Sequence, residues 1–195
     1  MTGFCSLLAY PMTSEDVTKW LGIAMFALCF GSFFWGIHCF FRSQGSMPGR
    51  MRLTQGLGLL MAVWHVACLL TSRSPVVGLR LIGLAFYLVS LFLFWWSVHT
   101  FKKVPPTLAF SADVPERIMT NGPYRFVRHP FYTAYILAWV AGVFASGDWS
   151  LAVSVAVMTF LYLQSARMEE KKFSESKLAA DYTGYRKSTG MFLPK

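Results

Sequence analysis

The chain has 195 residues, 55% hydrophobic and 14% charged, with 18 Lys and Arg against 9 Asp and Glu. A soluble domain carries about 25% charged residues, so this composition excludes an ordinary soluble protein and points to one integral membrane domain, 1–195. The net charge of +9 does not mark a nucleic-acid binder, because the basic residues are scattered between apolar spans.

The first eighteen residues lack the basic start of a secretory signal peptide and carry Glu15 and Asp16 where a cleavage region would lie. They are expected at the membrane surface. Three apolar spans follow. Trp20 to Phe41 lies between Lys19 and Arg42. Leu53 to Leu70 is shorter, with Gly56 and Gly58 near its start. Val76 to Phe101 is rich in Leu, Phe and Trp. Each approaches or exceeds the roughly 20 residues that cross a bilayer as a helix, and Trp95 and Trp96 suit an interfacial belt.

Lys102 to Thr120 is a linker broken by Pro105, Pro106 and Pro115. Two further apolar segments, Phe131 to Ala145 and Trp149 to Ala166, are joined by Ser146, Gly147 and Asp148. At a rise of about 1.5 Å per residue the first covers about 22 Å, short of a hydrocarbon core roughly 30 Å thick. The charged tail from Met168 to Lys195 interleaves Phe173, Leu178, Tyr182 and Tyr185 with Lys and Glu. It is expected to fold back on the membrane as a helix. The predicted fold class is therefore all-α, a multi-pass transmembrane helical bundle of about five spans with a cytosolic C-terminal amphipathic helix. Three spans occupy 1–101, the cytosolic linker 102–120, and the hairpin with the tail 121–195.

Cys5, Cys29, Cys39 and Cys68 form no C-x-x-C pair, and three of them fall in apolar spans. They read as buried small hydrophobes, without a disulfide framework or a metal set. Charge orients the spans. One side holds Arg42, Arg50 and Arg52, then Lys102, Lys103, Arg117, Arg125 and Arg128, then the basic residues from Arg167 onward. The other holds Lys19, Arg73 and Arg80 with Glu15, Asp16 and Asp148. The positive-inside rule then places the N-terminus outside and the C-terminus in the cytosol, with both polar clusters described next on the cytosolic side.

Residues 121–132 read Asn-Gly-Pro-Tyr-Arg-Phe-Val-Arg-His-Pro-Phe-Tyr. Pro130 suits the first position of a helix, where its missing N–H costs nothing. His129 precedes it as a cap-like residue and Tyr132 lies one turn on, so the two can face one point. The free N–H groups of the first turn open there too, a seat for a carboxylate or other anion. Arg125 and Arg128 add positive charge. An arginine-rich anchor at a membrane edge explains the same residues equally well. The second cluster, Arg167-Met168-Glu169-Glu170, closes the last apolar segment. Arg167 and Glu170 are three apart and can pair, while Glu169 is turned about 100° away. In isolation that pair is a solvated contact worth about 0.3 kcal/mol. Beside the first cluster it becomes part of a pocket. His38, His65 and His99 fit no metal-ligand spacing and read as helix-packing residues. His65 lies near mid-membrane, where a polar group is expensive. His99 has the best claim of the three to acid–base work.

With these motifs in order, the chain resembles the isoprenylcysteine carboxyl methyltransferase and phospholipid methyltransferase superfamily. Its signature is an R-H-P-x-Y-x-G run, a hydrophobic stretch and a Glu-Glu pair. The ending Tyr182-Thr-Gly-Tyr185-Arg, then Gly190-Met-Phe-Leu-Pro194, is similar to the family's tail, so the likeness covers about residues 116–194. One departure is Ala134 in place of the signature Gly, an extra methyl in a helix contact or a pocket wall.

The resemblance implies a membrane-embedded methyltransferase that uses S-adenosyl-L-methionine, enclosed between the hairpin and the C-terminal segment. By motif, Ile118, Met119, Tyr124, His129, Pro130, Phe131 and Tyr132 would line the cofactor pocket. One or both of Glu169 and Glu170 would hold the cofactor's amino end, and Arg167 would face the substrate's reacting group. The implied partners are membrane lipids and a lipophilic acceptor arriving from the bilayer, with no nucleic acid and no metal. The expected acceptor is a carboxylate such as a prenylcysteine-like group, already ionised at pH 7 and needing no base. An amine or thiol acceptor, on a phospholipid or a small molecule, requires a base such as His99 or a Glu. An NADPH-dependent sterol-reductase-like enzyme shares a related hairpin and an R-H-x-x-Y run, but an acidic residue soon after the Tyr would favour it. Here Thr133, Ala134 and Tyr135 follow. A non-enzymatic membrane scaffold is the remaining alternative.

Overall fold

A computed structural model describes residues 13–41, 49–72, 76–101 and 117–195. The expected surface placement of residues 1–12, Cys5 and most of the 102–120 linker lie outside the described residues. Within them the regular structure is helical apart from one parallel bridge, Val127 to Gly190.

Helix α1 spans Ser14–Trp35 and ends in a wider turn, Gly36–Phe40. It starts earlier than its apolar run because Thr13 and Asp16 form a reciprocal capping box. Residues 14–18 are therefore the first turn of a long helix. Helix α2 is Gly49–Thr71 and α3 is Val77–Thr100. Helix α4 is Pro130–Ser146, closed by Gly147 at φ 70. Asp148 then caps a short 3₁₀ turn, Trp149–Leu151, that leads into α5, Ala152–Ser174. Helix α6, Ala179–Ser188, ends the regular structure.

Four of these helices are long and apolar enough to cross a membrane, and α4 is the short one. At 17 residues, α4 is about 25 Å long. It packs against α1, α2, α3 and α5, and most of its residues are buried. A helix sheathed by protein need not match the bilayer thickness, so both of its ends are free to meet polar groups. Its tightest neighbour is α3. A Cβ on Gly83 would stand 2.6 Å from the Ala145 nitrogen and 2.8 Å from the Ala141 carbonyl oxygen. Small residues let the two backbones touch, the usual device where lipid offers no hydrophobic drive. Ala134 belongs to this contact. It is fully buried, and its carbonyl accepts a 2.7 Å hydrogen bond from Ser90. The methyl added at the signature position thus sits in a helix–helix contact.

Polar residues cross-link the bundle. His65 is completely buried and its Nε2 lies 2.6 Å from Ser154 Oγ, tying α2 to α5. This is the helix-packing role expected of it. At the α1 start, Lys19 Nζ donates to the Leu70 carbonyl at 2.6 Å and Arg80 Nη1 to the Glu15 carbonyl at 2.6 Å. Cys29 is buried as expected, whereas Cys39 is exposed.

The tail departs from a single helix beginning at Met168. The residues from Met168 to Ser174 extend α5, because Met, Glu and Lys are good helix formers and nothing interrupts them. Helix α6 is short and buries Tyr182, whose ring stacks on Phe173 at 4.7 Å. The last residues then return to the beginning of α4.

Candidate functional site

The site is built where α3 and α5 end and α4 begins. Gly122 adopts φ 60, and a Cβ there would collide with Thr100 Oγ1, so the Gly122–Arg125 turn folds directly against the end of α3. The chain next runs beside the C-terminal segment. Arg128 N donates to Gly190 O at 2.8 Å and His129 N to Met191 O at 3.1 Å. Pro130 opens α4, buried, as its ring predicts. One turn later Thr133 Oγ1 donates to Phe192 O at 3.0 Å. The tail is therefore laced to the start of α4 over three successive carbonyls.

Against this frame the last turns of α5 present two carboxylates with different partners. Arg128 Nε donates to Glu170 Oε1 at 2.9 Å, and His129 Nε2 lies 3.2 Å from the same oxygen. Arg186 Nε stands 3.7 Å from Glu170 Oε2. Arg128 also donates through Nη1 to the Thr189 carbonyl. Both side chains of the Arg128–Glu170 pair are only 6% exposed. Glu169 has a side chain 31% exposed, and its Oε2 lies 3.5 Å from His129 Nδ1. Tyr132 donates its hydroxyl to Glu169 Oε1 at 2.5 Å. Glu170 thus meets buried Arg128 and His129 and the more exposed Arg186, whereas Glu169 meets one phenol and one imidazole.

Aromatic faces complete the cluster. The Tyr132 ring stacks on His129 at 5.7 Å and on Tyr162 at 5.6 Å. Tyr135 lies 5.5 Å from Tyr162. Tyr185 donates its hydroxyl to the Tyr124 carbonyl at 2.6 Å, and burial pushes its phenol up to about 12. Burial also holds the Tyr124 phenol well above the usual range, reinforced by the charge of Glu169. These tyrosines stay protonated at neutral pH. Burial alone would lower the proton affinity of His129, but Glu169 and Glu170 outweigh it and hold the imidazole above its ordinary value.

Of the residues predicted from sequence, Tyr124, His129, Pro130, Tyr132, Glu169 and Glu170 are brought together here. Ile118 and Met119 are half-buried nearby in the chain, Met119 against the apolar core. Phe131 turns away into that core, 5.0 Å from Phe41 and 5.5 Å from Phe94. One helical step of about 100° separates it from Tyr132. Arg167 is exposed, and among the described residues it has no ion pair. Its expected partner, Glu170, is taken by Arg128, Arg186 and His129. His99 is exposed and bonds the Trp95 carbonyl of its own helix at 2.7 Å. Sequence reasoning counted Arg128 only as diffuse charge and gave no role to Arg186, Thr189 or Phe192. Their one signal was the Tyr182–Pro194 tail pattern.

Residues 79–180 match the phospholipid methyltransferase family. The matched stretch contains both polar clusters and most of α3, with all of α4 and α5. The chain belongs to the phospholipid methyltransferase family. Together with its apolar helices, this membership makes it an integral membrane protein. The family match stops inside α6, so Arg186, Thr189 and Phe192 lie beyond it. A methanethiol S-methyltransferase of Pseudomonas sp. (strain GM41(2012)) is 28% identical over 143 residues, 72% of this chain and 47% of the relative. The chain spans about half the length of that curated relative.

Proposed function

We propose that the protein transfers a methyl group from S-adenosyl-L-methionine to a lipophilic acceptor drawn from the bilayer. One observation carries the reading. Glu169 is a partly exposed carboxylate held only by Tyr132 and His129, with the rings of Tyr135 and Tyr162 against Tyr132, inside the stretch that matches the family. The residues present fit the cofactor, which carries an ammonium and a sulfonium. A carboxylate attracts both, and aromatic faces attract cations. Glu169 would hold the cationic end, with Tyr132 and His129 fixing its two oxygens. When bound, the cofactor supplies a methyl group on a positively charged sulfur.

The chain contributes position and shielding, which dominate when a displacement needs little proton transfer. The buried Arg128–Glu170 pair pins the tail across the start of α4 beside Glu169. The charge bias along the sequence supports a cytosolic site with the N-terminus outside. A lipophilic acceptor would then approach sideways between helices.

The resemblance implies a carboxylate acceptor oriented by Arg167, and that side chain is exposed. A thiol acceptor is favoured instead by the methanethiol S-methyltransferase relative. Calorimetric titration of the purified protein in detergent tests the core of this reading. Saturable S-adenosyl-L-methionine binding that weakens in Glu169→Gln is expected. Saturable NADPH binding would shift the reading to a reductase, and binding of neither would leave a scaffold.

A further inference from the structure

Helix α2 turns Met51, Gln55, Gly58, Ala62, His65 and Leu69 inward, all within about 80° of its circumference. Met51, His65 and Leu69 are buried. The two polar members of this face differ. His65 is bonded to Ser154. The amide nitrogen of Gln55 is buried and has no hydrogen-bond partner among the described residues.

Its position is bracketed from both sides. Arg50 Nη1 lies 3.2 Å from Met168 Sδ, and a Cβ on Gly58 would stand 3.4 Å from Met158 Cε. Gln55 therefore faces α5 between Met158 and Met168. On α5, Ser154, Met158, Tyr162, Ser165 and Glu169 share another arc of about 80°. Tyr162 stacks on Tyr132, which holds Glu169. The α2–α5 seam that contains Gln55 leads directly to the candidate site.

Among the described residues, the other buried side-chain atoms without partners are His65 Nδ1, Arg80 Nε and Tyr87 Oη. His65 and Arg80 are already anchored through another atom, and Tyr87 is sealed inside the core. Gln55 alone among these is half-buried as a residue, with its amide nitrogen turned into the seam. An unmade hydrogen bond is costly there, because lipid cannot stand in for water.

We propose that Gln55 positions the methyl acceptor, donating its carboxamide N–H to a lone-pair-bearing group, a thiol or a carboxylate, on the lipophilic substrate. The proposal rests on the methyltransferase reading above. Gln55 is a positioning residue for the acceptor and leaves the cofactor to the Glu169 cluster.

The test compares wild type with Gln55→Met, which keeps the side-chain length and removes the amide, using 1-octanethiol and dodecanoate as probes. In Gln55→Met the KM of the accepted probe should rise about tenfold, the loss of one hydrogen bond. The dissociation constant of S-adenosyl-L-methionine should stay within about twofold, and the melting temperature should hold or rise because an unpaired buried amide is gone. Gln55→Glu should raise KM further as its carboxylate repels an anionic acceptor. Gln55→Asn, which keeps an amide on a shorter arm, should fall between and serves if Gln55→Met does not fold. Methylation of octanethiol alone or dodecanoate alone identifies the acceptor group. An unchanged KM, or a lowered melting temperature with unchanged KM, overturns the proposal. So does a wild-type protein that binds the cofactor yet methylates neither probe. A wild-type protein that binds no cofactor instead removes the reading on which the proposal rests.

Discussion

At one end of the bundle Lys19 and Arg80 direct their charge to the backbone carbonyls of Leu70 and Glu15. At the other, Arg128 and His129 meet two side-chain carboxylates, and one of these, Glu169, stays partly exposed. The first arrangement staples α1 to α2 and α3 through backbone acceptors, with no side-chain carboxylate in either bond. The second has more acid than its own folding uses. Cations held by carbonyls serve the fold alone, whereas a buried, paired acid beside a second, partly exposed acid can serve the fold and a ligand together.

Glu170→Ala should break this contrast most severely. It strands a buried Arg128, at a cost of about 3–5 kcal/mol, with a large fall in melting temperature and loss of cofactor binding. Arg80→Leu at the opposite end should cost only about 1 kcal/mol and leave binding intact. If the two variants behave alike, the ends do not differ as described.

Next in size is Glu169→Gln. Its melting temperature should stay close to wild type, since the side chain is partly exposed. Its affinity for S-adenosyl-L-methionine should fall about tenfold or more with the loss of one charge-assisted contact. Calorimetry and thermal melting on the same preparation separate the two effects.

A pH series sharpens the comparison with a smaller effect. His129 is held above its ordinary value of about 6.5 by the two acids. Its contribution to stability is complete below that ordinary value and declines as pH rises through the raised one. Cofactor affinity should move the opposite way, because a neutral His129 frees Glu169 for a cation. Melting curves and titrations from pH 5.5 to 9 would show opposed slopes, and parallel or flat curves would refute the coupling. The smallest expected effect is that of Arg167→Ala, with cofactor affinity unchanged within about twofold. A larger loss would return Arg167 to the site.

Several of these distinctions are local enough to read along the chain. Pro130 as a helix start, Gly147 as a helix stop and the 100° offset between Glu169 and Glu170 follow from residue type and helical pitch. The pairing of Glu170 does not. An i,i+3 contact with Arg167 is the local option, yet it is weak and solvated. Arg128 is buried and must find a carboxylate, so the distant partner wins. Phe131 and Tyr132 are neighbours in the motif, but the aromatic core claims one and the polar cluster the other.

By itself the sequence determined the class of molecule. Apolar run length, charge bias and two ordered motifs are one-dimensional properties, and a bilayer reads them almost residue by residue. Tertiary structure decided which helix is central, which arginine is buried, and that the tail crosses the start of α4. Those outcomes depend on small residues letting α3 and α4 touch and on buried charges seeking partners some forty residues away. Neither is a property of any local segment.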